Sequence, residues 1–245
     1  MPTLVVTGTN TDIGKTVVTG AIAALARAAG QRVAVLKPAQ TGLAPGEPGD
    51  AHVAARLAGE GVDAFELARF PEPLAPATSA RRAGMRPVTP QEAADAAREL
   101  ADTYDLVLVE GAGGLLVRMD GEGGTLADVA GLLGAPVLTV AAPALGTLNL
   151  VRLTGEALRA RGLTPRGVVI GAWPHTPGLA ERCNVEELAE MAGAPLLGAV
   201  PQGAGGLAPE QFAAAATGWL APELGGTWDA GRLARNAGQP AAGRA

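Results

Sequence analysis

Three short stretches of the chain gather the residue types that stabilise phosphate oxyanions: GTNTDIGKT at 8–16, LKPAQTG at 36–42 and VLVEGAGGLL at 107–116. The first ends in Gly14, Lys15 and Thr16, as a phosphate-binding loop does. The lysine there reaches terminal phosphate oxygens, and the hydroxyl suits a divalent cation. The usual G-x-x-x-x-G-K-[ST] spacing asks for glycine at position 9, where Thr9 stands, and Gly8 comes one place early. An extra residue widens the turn without removing the backbone N–H groups from Asp12 through Ile13 to Val17 that could converge on an anion. The plainer reading is a glycine-rich helix entry.

Lys37 follows an apolar run and precedes Pro38, which fixes φ and removes a backbone donor. It reads as the end of a strand, with Lys37 leaving the sheet edge towards a second phosphoryl contact, or else as a surface cation. Thr41 and Gly42 then offer a hydroxyl and close backbone approach to a substrate. Glu110 closes another apolar run and is placed for a metal, with Gly111, Gly113 and Gly114 open to a ligand and Ala112 among the expected nucleotide contacts; the alternative is an exposed loop glutamate. Asp50 is either a third oxygen ligand or a helix N-cap. One count favours the chemical readings: of 19 basic residues only two, Lys15 and Lys37, are lysines. A chain that otherwise uses arginine keeps a compact ammonium point charge at these two places.

Positioning these groups requires a layered scaffold. Short apolar runs at 3–7, 32–36, 105–109, 136–140, 167–170 and 195–199 read as strands. Helical patterns fall at 16–29, 90–101, 125–133, 147–161, 184–192 and 209–220, with a short helix at 51–58. Continuous apolar strands separated by helices predict an α/β fold, a mostly parallel sheet covered on both faces, with ligands beyond the strands' carboxyl ends. The Pro- and Gly-rich 38–90 region reads as an insertion over the active face. Residues 1–222 are expected to form one domain, and 223–245 a partly disordered C-terminal segment.

Bulk properties narrow the function. A net charge of −5 offers no basic field for nucleic acid or an anionic membrane surface. The N-terminus lacks a signal pattern, so the expected location is cytoplasmic. One cysteine, Cys183, and two histidines, His52 and His175, argue against a disulfide framework or a Cys/His metal centre.

Taken together, GTNTDIGKT, KPAQTG, Asp50, VEGAGG and the later ALGTLN at 144–149 resemble the dethiobiotin synthetase family, in order, from about residue 3 to 220. The resemblance implies a three-layer P-loop NTPase-like fold. It also implies a Mg²⁺- and ATP-dependent ligase that joins carbon dioxide to 7,8-diaminopelargonic acid through a carbamate and a carbamic–phosphoric anhydride. By that resemblance Lys37, Lys15 and Thr11 are catalytic, Thr16, Asp50 and Glu110 hold the metal, and Thr41 touches the substrate. Leu145, Gly146, Thr147 and Asn149 would bind the substrate carboxylate across a homodimer axis. The nucleobase would meet Gly171, Ala172, Pro201, Gln202 and Gly203. Many relatives carry Asn-Asp where Gly171 and Ala172 stand, so weaker discrimination among nucleoside triphosphates is expected. A phosphoryl-activating amide ligase is a second reading. A partitioning-type ATPase is a third, disfavoured because Thr9, Asn10 and Thr11 supply no early loop lysine.

Overall fold

The computed structural model describes residues 3–44 and 46–231. Seven strands form one parallel sheet: β1 (Thr3–Gly8), β2 (Val33–Thr41), β3 (Val62–Phe70), β4 (Leu106–Gly114), β5 (Val137–Ala141), β6 (Pro165–Trp173) and β7 (Leu196–Pro201). Their order is β3-β2-β4-β1-β5-β6-β7. The helices are α1 (Lys15–Ala28), α2 (Asp50–Ala58), α3 (Pro76–Ala83), α4 (Pro90–Ala101), α5 (Leu126–Leu133), α6 (Thr147–Ala160), α7 (Leu179–Ala192) and α8 (Pro209–Ala216).

Alternation along the strands sorts the core into two layers. Leu4 and Val6 of β1 pack with Val18, Ile22 and Leu25 of α1, Leu57 of α2 and Phe212 of α8. Val5 faces the other way, into a cluster with Ala93 and Ala97 of α4 and Val129 of α5. Beyond β5 that second face is covered by α6 and α7 through Val151, Val185 and Leu188. Both sheet faces are thus buried, which is why the strands read as continuous apolar runs. The helix at 90–101 appears as expected, opened by Thr89 and Glu92 in a reciprocal capping box.

Two expectations need correction. The 38–90 region, expected as an insertion over the active face, does line a cavity there but is also part of the sheet layer, since it supplies the edge strand β3 and the helix α3. The stretch VDAFELARF escaped recognition because an edge strand is only half covered, so Asp63, Glu66 and Arg69 interrupt its apolar pattern. Lys37 does not leave a strand end either, since β2 runs through Pro38 to Thr41. Pairing of β2 with β4 stops at Leu36–Val109, while pairing with β3 continues to Thr41–Phe70. Past Leu36 the strand has a neighbour on one side only, the situation in which a proline without an N–H is tolerated. Within the C-terminal segment, Leu224 is buried and Trp228 packs on the core. The remainder of the 223–245 segment expected to be partly disordered, positions 232–245, lies outside the described residues.

Candidate active site

The loop between β1 and α1 turns with two residues at positive φ. Asp12, at 54°, is the only non-glycine in that region among the described residues, and Gly14 lies at 91°. The Asn10 side chain steadies the bend by accepting from the Thr11 N–H at 2.8 Å. Lys15 folds back over the loop and donates to the Asn10 carbonyl at 2.8 Å. Burial, and then the charge of Lys37, lower the Lys15 pKa, against the pull of Glu110, Asp50 and Asp12. An ammonium held this way gains from an anion in the loop.

Lys37 lies beside this loop, 2% exposed. Its Nζ is 2.6 Å from Asp50 Oδ2 and 3.0 Å from Glu110 Oε1, and it donates to the Gly111 carbonyl at 3.0 Å. Burial alone would lower its pKa, but the charges of Glu110 and Asp50 and its hydrogen bonds to both outweigh that and raise it. Lys37 is therefore a fixed cation. Glu110 is fully buried inside β4, so it is not an exposed loop glutamate. Its Oε1 also accepts from the Thr16 hydroxyl at 2.9 Å, while Oε2 is buried without a partner. Asp50 is not an N-cap. Gly49 holds that place, and Asp50 begins α2 with its N–H donated to Gln40 Oε1 at 2.8 Å and its carboxylate on Lys37.

These groups surround a cavity of about 870 Å³ at the carboxyl ends of the central strands. Thr11, Asp12, Gly14, Lys15, Thr16, Lys37, Thr41, Asp50, Glu110, Ala112 and Gly113 all reach it. The sequence reading assigned no role to Gln40, Leu74 or Val117, which also line it. Gln40 was legible inside KPAQTG; Leu74 and Val117 carry no local signal and arrive through the turns before α3 and after β4.

The other expected residues lie apart from that cavity. Gly171 and Ala172 are inside β6, not after it. A Cβ on Gly171 would overlap the Ile13 carbonyl, and one on Gly14 would overlap the Gly171 carbonyl, so loop and strand pack backbone to backbone. Pro201 pairs with Trp173, whose carbonyl accepts from the Gln202 N–H at 2.7 Å, and Gly203 follows in a left-handed turn. Nearby, a Cβ on Gly205 would sit 3.2 Å from Val17, which ties this loop to α1. Leu145, Gly146, Thr147 and Asn149 form the start of α6, and Leu145 is 88% exposed.

Known proteins share this fold and much of this sequence. The profile of the AAA domain family matches residues 2–206. The ATP-dependent dethiobiotin synthetase BioD of Streptomyces coelicolor is 64% identical over 230 residues, covering 94% of this chain and 96% of that protein. The chain belongs to the dethiobiotin synthetase family. The protein of that name from Saccharopolyspora erythraea is 63% identical, covering 93% and 99% of the two chains. Identity of this extent over nearly the whole length makes the chain an ATP-dependent ligase of biotin biosynthesis. Among solved structures, a ParA family ATPase from Chlorobium tepidum superposes with a TM-score of 0.56 at 15% identity, over 96% of this chain and 98% of that one. At that identity the likeness concerns the fold, a parallel sheet with the phosphate loop between β1 and α1.

The loop holds Asp12 in a left-handed turn and packs Ile13 and Gly14 against β6, in the space that a side chain at 171 would need.

Proposed function

We propose that the cavity between Lys15, Lys37 and Glu110 is where this ligase activates a carbamate of 7,8-diaminopelargonic acid with ATP. One observation supports this most: the only two lysines of the chain and a buried carboxylate share one pocket at a helix N-terminus. An amine of the substrate takes up carbon dioxide as a carbamate. A carbamate oxygen attacks the γ-phosphoryl group, and ADP leaves. The neighbouring amine then attacks the carbamic–phosphoric anhydride, closing the ureido ring and releasing phosphate.

Such chemistry asks for alignment and charge more than for a covalent catalyst. Lys15 exchanges the Asn10 carbonyl for phosphate oxygens, aided by the loop N–H groups and the α1 dipole. Lys37, kept protonated by its two carboxylates, supplies a fixed cation for the carbamate and the transferring phosphoryl group. Thr11 and Thr41 offer hydroxyls to phosphate and substrate from the cavity wall.

The donor set suits Mg²⁺. The Thr16 hydroxyl, the Asp50 carboxylate and the partnerless Glu110 Oε2 are hard oxygen ligands. Among the described residues no cluster of three or more His, Cys, Asp or Glu forms a cage, which agrees with an ion completed by phosphate oxygens and water. When bound, Mg²⁺ neutralises charge on the β- and γ-phosphates.

The nucleobase lies against the backbone of Gly171 and Ala172 and the Pro201, Gln202 and Gly203 turn, with no side chain at 171 to read it. The enzyme is a homodimer: Leu145, Leu150 and Leu153 form an exposed apolar row at the start of α6, where Gly146, Thr147 and Asn149 meet the substrate carboxylate bound to the other subunit. Among the described residues no helix is long and apolar enough to cross a membrane, and we place the reaction in the cytoplasm. The test is phosphate release by purified protein, with mass detection of dethiobiotin. Release should require diaminopelargonate, bicarbonate, Mg²⁺ and ATP together. Slow hydrolysis indifferent to the first two would instead fit an ATPase switch.

A further inference from the structure

Asn184 lies on α7, does not line the cavity described above, and is 5% exposed. Its amide nitrogen donates to the Pro143 carbonyl at 2.8 Å and to the Ala144 carbonyl at 3.1 Å. These carbonyls belong to the connection from β5 to α6. Among the described residues, no other side chain is bonded to positions 142–146. The turn is closed internally by the Thr147 N–H on the Ala144 carbonyl at 3.2 Å, and Gly146 enters it at a φ of 93°. No side chain caps α6, and the Thr147 hydroxyl is buried without a partner. A helix start with free donors and an unmatched hydroxyl is suited to an anion, provided that its backbone is held still.

We propose that Asn184 is a positioning residue for the diamino-acid substrate. Its two hydrogen bonds fix the 143–147 turn, and so set where the Leu148 and Asn149 N–H groups and the Thr147 hydroxyl meet the substrate carboxylate. This rests on the reading given above, that the start of α6 holds that carboxylate. The anchor is itself rigid: α7 packs tightly on α6 because Gly155 admits the Ala192 carbonyl, to which Arg159 donates at 3.0 Å. An asparagine is suited to the task because one amide group satisfies two adjacent carbonyls from a buried position.

The test compares wild type, Asn184→Asp and Asn184→Ala. The aspartate keeps the shape but sets a carboxylate oxygen against two carbonyls; the alanine only removes the donors. Steady-state constants are measured for diaminopelargonate, for ATP and for 7,8-diaminononane, which lacks the carboxylate. Losing the two bonds should raise KM for diaminopelargonate about tenfold in either variant, with kcat and the KM for ATP within about twofold of wild type. The preference for diaminopelargonate over diaminononane should shrink by the same factor. If wild type has no such preference, the start of α6 is not the carboxylate site and the underlying reading fails. If wild type has it and both variants retain it in full, Asn184 does not position the turn. A uniform fall in kcat for both substrates, with earlier melting, would assign Asn184 a purely structural role and also overturn the inference. Should the aspartate variant not fold, the alanine variant carries the same comparison.

Discussion

Replacing Lys37 by methionine removes the cation from between two carboxylates, one of which, Glu110, has no access to water. At 3.0 Å and an effective dielectric of about 20, the Lys37–Glu110 attraction is on the order of 5 kcal/mol. Asp50, with 37% of its side chain exposed, adds less because water screens it. Desolvation of both ions offsets much of the attraction in the native protein, but without Lys37 only the Thr16 hydroxyl and the charge of Lys15 remain to offset the desolvation of Glu110. Lys37→Met should therefore lower unfolding stability by about 3–5 kcal/mol, the usual consequence of breaking a buried pair. Adding Glu110→Gln should recover at least about 2 kcal/mol, since the amide carries no charge. Urea unfolding followed by circular dichroism, at fixed protein concentration and without nucleotide or Mg²⁺, gives both values. Should the double variant prove no more stable than Lys37→Met, the loss would not come from an unpaired carboxylate, and the account of Lys37 as a charge held by its neighbours would be wrong. Lys37→Arg separates fold from chemistry. A planar fork cannot reproduce contacts made by one buried nitrogen, so kcat should fall about 10²- to 10³-fold while ATP still binds.

Lys15→Ala removes the ammonium that the loop offers to phosphate, and nucleotide affinity by calorimetry should fall at least about tenfold; an unchanged Kd would take Lys15 out of the nucleotide site. Gly171→Ala places a methyl group in the Ile13 carbonyl, so the variant should bind ATP more weakly and melt earlier, and wild-type behaviour in both would mean that the contact is not needed. With no side chain at 171 to read the base, kcat/KM for ATP, GTP and CTP should differ far less than the roughly 10⁴-fold of a dedicated hydrogen-bonding site. Away from the site, three hydrogen bonds from Arg32 lower the Asp105 pKa from 3.8 to about 2. A carboxylate whose folded pKa lies below its unfolded value stabilises above the latter and ceases to as pH falls through the former. Asp105→Asn should therefore melt below wild type at neutral pH, and the gap should narrow as pH falls from about 4 towards about 2.

Much of this molecule is determined locally, and that part is legible in the chain. The strand–loop–helix at 3–28, the capping box at Thr89 and Glu92 and the glycine before α6 each depend on neighbours within a few residues. The retention of two lysines in an arginine-using chain marks Lys15 and Lys37 before any fold is considered. What the sequence leaves open is which of these local pieces share an environment. The edge strand β3 carries charges because one of its sides has no neighbour, a property of sheet order rather than of VDAFELARF itself. Pro38 sits inside β2 because β4 has already diverged there. Glu110 could have been a solvated loop residue; the register of β4 between β1 and β2 buries it, and that burial turns an ordinary carboxylate into the partner of Lys37 and Thr16. Asn184 has no motif at all, and its role comes from the packing of α7 on α6 beside the start of another helix. Chain-local signals arise from short-range sterics and hydrogen bonding, whereas burial and charge pairing depend on segments 70 to 100 positions apart meeting, which only the closed sheet brings about.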